Sequence, residues 1–206
     1  MFYYVVRAIA WLLLKIFWQM EVIGTENVPE RGGVIIASNH VSYLDPIVLG
    51  VATKRKLHFI AKKEVFNNIF SSIFFKNLNA FPVDRKKIDM PAFKKTISIL
   101  EGGGVLGIFP EGTRSLNGEL QELKLGVIKI AMKAGVPIIP VGIVGTHKIY
   151  PQGKTFPVLF KNKITVYFGA PQYFDKNNIK DKTYQENALN VVSQKIKELT
   201  VTDDHK

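Results

Sequence analysis

Three apolar runs, each too short to make a full-length helix, set the terms on which this chain can fold. Val34-Ile35-Ile36-Ala37, Val105-Leu106-Gly107-Ile108-Phe109 and Val136-Pro137-Ile138-Ile139-Pro140-Val141-Gly142-Ile143 present no polar face. Runs of this kind read as strands buried on both sides. Helical spacing lies between them. Phe93, Ile97 and Leu100 recur at helical intervals before Gly102-Gly103-Gly104, and a second helix over 123–134 stops at Gly135. Further strands are expected at 58–61, 79–83 and 164–168, an aromatic helix over 65–75, and an amphipathic helix over 184–199. Strands alternating with helices predict an α/β fold, a single-domain mixed sheet flanked by helices. The two prolines in 136–143 point to an edge or bulged strand, because proline has no N–H to give the ladder.

Residues 2–18 are a different kind of apolar segment. Arg7 and Lys15 interrupt it, so no uninterrupted run approaches the ~20 residues of a spanning helix. At 100° per residue, Tyr4, Arg7, Lys15 and Gln19 share an arc of about 120°, and the rest of the wheel is apolar. Such a helix suits the plane of a membrane interface, with Tyr3, Tyr4, Trp11 and Trp18 at headgroup level. The alternative is a first helix packed on the domain's own core. The expected division is therefore a membrane-associated helix over 1–20 and one α/β domain over 21–206.

Charge narrows the partners. The 206 residues carry 28 Lys and Arg against 17 Asp and Glu, a formal charge of +11. A chain this basic favours polyanions: nucleic acid, an anionic membrane surface, or phosphorylated small molecules. Residues 51–100 hold eleven of the cations and only three acids. Within that stretch Lys62 and Arg85 stand out, since each closes an apolar segment. The absence of cysteine excludes disulfides, thiolate metal sites and a cysteine nucleophile. Four scattered histidines argue against a His-rich metal centre.

Two polar clusters follow apolar runs, where α/β folds place ligands. The first is Asn39-His40-Val41-Ser42-Tyr43-Leu44-Asp45-Pro46. On a continuous helix His40 and Asp45 would point about 140° apart, so they meet only if the chain turns between them. Pro46 favours such a break and can begin a new helix. Asp45 could then orient the His40 imidazole as a base. The same Asp-Pro pair also reads as an ordinary helix N-cap. The second cluster is Phe109-Pro110-Glu111-Gly112-Thr113-Arg114-Ser115. Gly112 permits close backbone approach and Arg114 offers a planar fork for phosphate. A plain strand-to-helix turn would look similar.

Taken in order, Asn39-His40-x4-Asp45, Ala80-Phe81-Pro82-Val83-Asp84-Arg85, Phe109-Pro110-Glu111-Gly112-Thr113-Arg114-Ser115 and Val136-Pro137-Ile138-Ile139-Pro140-Val141 resemble the four motifs of the glycerolipid acyltransferase family. The similarity runs from about Gly24 to Pro171 and is strongest toward the family's bacterial 1-acylglycerol-3-phosphate acyltransferases. The resemblance implies transfer of a fatty acyl group from acyl-CoA or acyl-carrier protein to the free hydroxyl of lysophosphatidic acid, giving phosphatidic acid. It also implies His40 as general base, Asp45 as its orienting partner, and Glu111, Gly112, Thr113 and Arg114 around the acceptor phosphate with Arg85 assisting; Lys62 is a further substrate-binding candidate from its place at the close of an apolar segment. The Val136–Val141 stretch would help shape the donor site. No cofactor or metal is implied, and the expected location is the cytoplasmic face of the cell membrane, on the lipid surface without crossing it. Another lysophospholipid as acceptor and a non-catalytic basic membrane protein are the alternatives. Nucleic acid is not an expected partner, because the aromatics cluster in apolar runs and do not interleave with the basic residues. No Gly-x-Ser-x-Gly elbow suggests a serine hydrolase.

Overall fold

A computed structural model describes residues 1–84, 89–151, 153–160 and 162–201. In chain order the elements are α1 (Phe2–Trp18), β1 (Glu21–Ile23), β2 (Val34–Ser38), α2 (Asp45–Ala52), β3 (Leu57–Lys62), α3 (Ile69–Asn77), β4 (Ala80–Val83), α4 (Met90–Glu101), β5 (Val105–Ile108), α5 (Gly126–Ala134), β6 (Ile138–Val144), α6 (Thr146–Ile149), β7 (Thr165–Phe168) and α7 (Lys182–Val201). The strands form a seven-stranded sheet in the order β1-β7-β6-β2-β5-β3-β4. Strands β2 to β6 run parallel, while β7 pairs antiparallel to β6 and carries β1 alongside. The predicted mixed sheet is therefore the one observed.

Period-two alternation along β2 distributes the core. Val34 and Ile36 join Val48, Leu49, Ile139 and Val141 on the face covered by α1 and α2. Ile35 and Ala37 join Leu100, Ile128, Val192 and Ile196 on the face covered by α4, α5 and α7. Helix α5 ends as expected at Gly135, whose φ of 65° is the left-handed turn glycine tolerates. The predicted helix over 65–75 divides into a 3-10 turn over Lys63–Phe66 and α3, which Asn68 caps by accepting from the Phe70 N–H at 2.8 Å.

Two expectations need correction. Strand β6 is not an edge strand: it lies between β7 and β2, and Ile138, Ile139 and Val141 have no exposed surface. Its Pro140 is accommodated by a bulge in the facing chain. Between the Val141–Phe168 pair and the Ile138–Gln172 bridge, Ile139 and Pro140 face Gly169, Ala170 and Pro171. Pro140 accepts from Gly169 N–H at 2.8 Å, and its missing donor falls at this interruption.

The second correction concerns α1. Its polar stripe is split, because Arg7 turns into the domain and donates to the Val51 carbonyl at 3.2 Å, at the C-terminal end of α2. A cation there meets carbonyls without helical partners and the negative end of the helix dipole. Tyr3, Leu14 and Trp18 are buried on the same side, and the Tyr3 hydroxyl accepts from Leu57 N–H at 3.3 Å. One face of α1 is thus core. The opposite face leaves Val5, Ile9, Leu12, Leu13 and Ile16 exposed. Among the described residues, no helix is long and apolar enough to cross a membrane.

Candidate active site

Because β2 to β6 are parallel, their C-terminal ends share one edge, where the chain leaves β2 at Asn39 and His40 and β5 at Phe109. Asn39 is buried and knits the end of β2 to β6. Its amide donates to the Ile143 carbonyl at 2.9 Å and accepts from the Ile143 N–H at 2.8 Å. The side chain thereby continues the ladder past the last strand residue, and His40 is held at the rim.

The chain does turn between His40 and Asp45. Nδ1 of His40 lies 2.9 Å from Oδ2 of Asp45, and the same oxygen accepts from the Val41 and Ser42 N–H groups at 2.7 Å each. Asp45 is fully buried and opens α2, but its side chain makes no capping bond to that helix. It turns back toward His40 instead, so the ordinary N-cap reading does not hold. Since Oδ2 already accepts two N–H bonds, the imidazole is the donor in the third. Nε2 then presents its lone pair, with no hydrogen-bond partner among the described residues. Phe109 stacks on the ring, with centroids 4.1 Å apart and planes 19° apart, fixing its plane. Ser42 is occupied: its hydroxyl donates to the Tyr150 carbonyl at 2.7 Å.

The loop after β5 closes over His40. Ser115 N–H donates to the His40 carbonyl at 2.8 Å. Glu111 is buried, and its carboxylate accepts from the His40 N–H at 2.6 Å and the Gln121 N–H at 2.9 Å. Burial pushes its carboxyl up to about 7, against those two hydrogen bonds and with a smaller contribution from Asp45. Expected around the acceptor phosphate, the Glu111 carboxyl is found turned inward, held between the His40 and Gln121 backbone N–H groups.

Arg114 lies in the same loop, half-buried. Its Cζ lies 3.4 Å from the centroid of the Tyr43 ring, and its Nη1 is buried without a hydrogen-bond partner among the described residues. A guanidinium so placed has donors left for an anion. Gly112 takes the left-handed conformation, φ 75°, and a side chain there would collide with the Lys124 ammonium, 2.7 Å from the added Cβ. Thr113 is exposed beside it. Lys62 ends β3 on the same sheet edge, exposed and 3.4 Å from Glu64. Arg85 lies outside the described residues. Of the Val136–Val141 stretch, expected to help shape a donor site, Ile138, Ile139 and Val141 are fully buried in the core and support the rim from below.

Two side chains beside these residues escaped the sequence reading. Thr146 is buried and donates to Oδ1 of Asp45 at 2.7 Å. Its signal was available, since it follows the third apolar run as His40 follows the first. Lys124 had none, because nothing in its local spacing ties it to Gly112. Among the described residues no group of three or more His, Asp or Glu side chains gathers as a metal site requires.

Residues 19–144 match the family model described as Acyltransferase. The chain is 33% identical over 190 residues to a Bacillus subtilis (strain 168) protein named 1-acyl-sn-glycerol-3-phosphate acyltransferase, covering 91% of this chain and 92% of that one. It is 28% identical over 177 residues to a Borreliella burgdorferi protein of the same name, covering 85% and 69%. Among solved structures it is similar to the 1-acyl-sn-glycerophosphate (LPA) acyltransferase PlsC of Thermotoga maritima. That match has a TM-score of 0.73 at 28% identity and covers 96% of this chain and 79% of the other.

Proposed function

This chain belongs to the acyltransferase family, and we propose that it transfers a fatty acyl group from a thioester to the free hydroxyl of 1-acylglycerol-3-phosphate, forming phosphatidic acid. The carrying observation is the 2.9 Å His40–Asp45 pair, bonded at the His40 carbonyl to a loop that holds an arginine nitrogen without a hydrogen-bond partner among the described residues. Nε2 takes the proton of the acceptor hydroxyl as its oxygen bonds to the thioester carbonyl carbon. The carbon–sulfur bond then breaks, and the imidazolium returns the proton to the leaving thiolate. Asp45 keeps the hydrogen on Nδ1 and stabilises the transient imidazolium.

Arg114, with Lys124 beside Gly112, supplies the charge that seats the acceptor phosphate. Thr113 and Lys62 complete the polar rim. The donor is acyl-CoA or acyl-carrier protein, both of which present the same thioester carbon. The outer face of α1 supports a location on a lipid surface without crossing it, and the proposed side is the cytoplasmic face of the cell membrane.

The test is a defined reaction: purified protein, lysophosphatidic acid in mixed micelles, and either donor, with products identified by mass spectrometry. Phosphatidic acid should form with wild type and not with His40→Ala. If neither donor is consumed, or only lysolipids with other headgroups are acylated, the assignment is wrong.

A further inference from the structure

We propose that α3 and the loop 156–160 join the outer face of α1 in one docking surface for a single leaflet of an anionic lipid membrane. This deepens the membrane-surface reading of α1 and rests on it. Helix α3 has the sequence Ile-Phe-Ser-Ser-Ile-Phe-Phe-Lys-Asn, yet none of its residues is buried. Phe70 is 80% exposed, and Ile69, Ile73 and Phe74 are exposed with it. The loop repeats the pattern: Phe156 is 79% exposed and Phe160 70%, with Leu159 between them. Large apolar side chains displayed together mark an interaction surface.

Both segments are fastened to α1, one at each end. Phe74 meets Phe2 edge-to-face with ring centroids 6.1 Å apart. Phe160 meets Phe17 at 5.0 Å, its N–H donates to the Phe17 carbonyl at 3.2 Å, and Trp18 Nε1 donates to the Val158 carbonyl at 2.8 Å. Phe160 holds φ of 60°, an unfavourable conformation for a bulky side chain, with its ring largely in solvent. On the helical wheel Phe2 and Phe17 lie within about 60° of each other. The three segments thus form one strip along a helix of about 25 Å.

Charge selects the partner. Lys62, Lys63 and Lys76 are exposed around α3, and Lys154 precedes Phe156. Lys15 lies over Trp11 at 5.9 Å on α1. Aromatic side chains fringed by lysines match the headgroup region of an anionic leaflet. The topology adds a consequence. Helix α3 leaves the sheet edge beyond β3, and the loop follows α6 beyond β6, on opposite sides of β2 and His40. A leaflet resting on both lies across the candidate active site.

The natural absence of cysteine allows a direct test. Leu12→Cys, Phe70→Cys, Phe156→Cys and, as a reference on exposed α7, Lys197→Cys would each carry an environment-sensitive dye. Vesicles of phosphatidylcholine and phosphatidylglycerol, with and without nitroxide-labelled lipid, are then added. Blue-shifted and quenched emission is expected at 12, 70 and 156 but not at 197. If the dye at 12 enters the bilayer while those at 70 and 156 stay in water, this inference fails and the α1 reading stands. If all three stay in water, both fail. A shift that rises with protein concentration without vesicles assigns the surface to a second copy and overturns the proposal, as does an equal shift at 197.

Discussion

Thr146 donates a 2.7 Å hydrogen bond to one oxygen of Asp45 while the other oxygen takes the His40 ring at 2.9 Å. The carboxylate that holds the His40 ring is therefore fixed from two directions: by the loop that follows β2 and by the short helix that follows β6. Thr146→Val keeps the shape but orphans a buried carboxylate oxygen, a cost of about 1–3 kcal/mol. The expected result is a fall in kcat with little change in either KM, and recovery in Thr146→Ser. A rise in KM with kcat intact would exclude a positioning role.

His40→Ala should lower turnover by about 10² to 10⁴ while leaving the fold in place. Circular dichroism and single-turnover rates on the same preparation check both parts. Asp45→Asn should be damaging in a different way. Its amide nitrogen cannot accept from two N–H groups and a ring at once, so loss of stability should accompany loss of rate.

Arg114→Ala should raise the acceptor KM roughly tenfold or more and leave the donor KM nearly unchanged, because a lost charge-assisted bond costs about 1.5–3 kcal/mol. Arg114→Lys should recover only part, since an ammonium has no fork. Lys124→Met should weaken the same substrate by a smaller factor. If the two substitutions instead affect different substrates, the shared phosphate site is disproved.

Glu111 gives a pH signature. Its carboxyl is raised to about 7 from an ordinary 4.5, chiefly by burial, so the folded protein holds that proton more tightly than the unfolded chain does. The resulting stabilisation is fully present below pH ~4.5 and is lost as pH rises through ~7. Chemical denaturation between pH 5 and 8 should show this loss in wild type and not in Glu111→Gln. The glutamine, with one oxygen for two N–H donors, should be less stable near pH 5.

Deleting α1 would remove Leu14 and Trp18 from the core, so its outer face is better tested by Ile9→Ser with Leu12→Ser. Vesicle binding should weaken at least tenfold while turnover of a short-chain soluble acceptor stays within about twofold. Equal losses in both would mean that the face supports the fold and not the membrane.

The parallel sheet was legible because buried strands need uninterrupted apolar runs, and those at 34–37 and 105–109 sit where β2 and β5 are. His40 and Asp45 were legible because strand ends place ligands and Pro46 breaks the helix before it can separate them. The inward turn of Glu111 was not legible because a motif names residue types but not the direction of a side chain. Arg7 was misread for a related reason: a helical wheel shows which residues share a face, not what lies against that face. Pro140 suggested an edge because the bulge that accommodates it is supplied by residues 169–171, about thirty positions downstream.

Arg7 grips the last turn of α2, and Asp45 is the first residue of that same eight-residue helix. At about 12 Å, such a helix is too short to bend. It joins the outer helix at one end to the carboxylate that holds the imidazole at the other. Arg7 and Asp45 thus put the orientation of α1 and the aim of the His40 ring on one short, stiff connection.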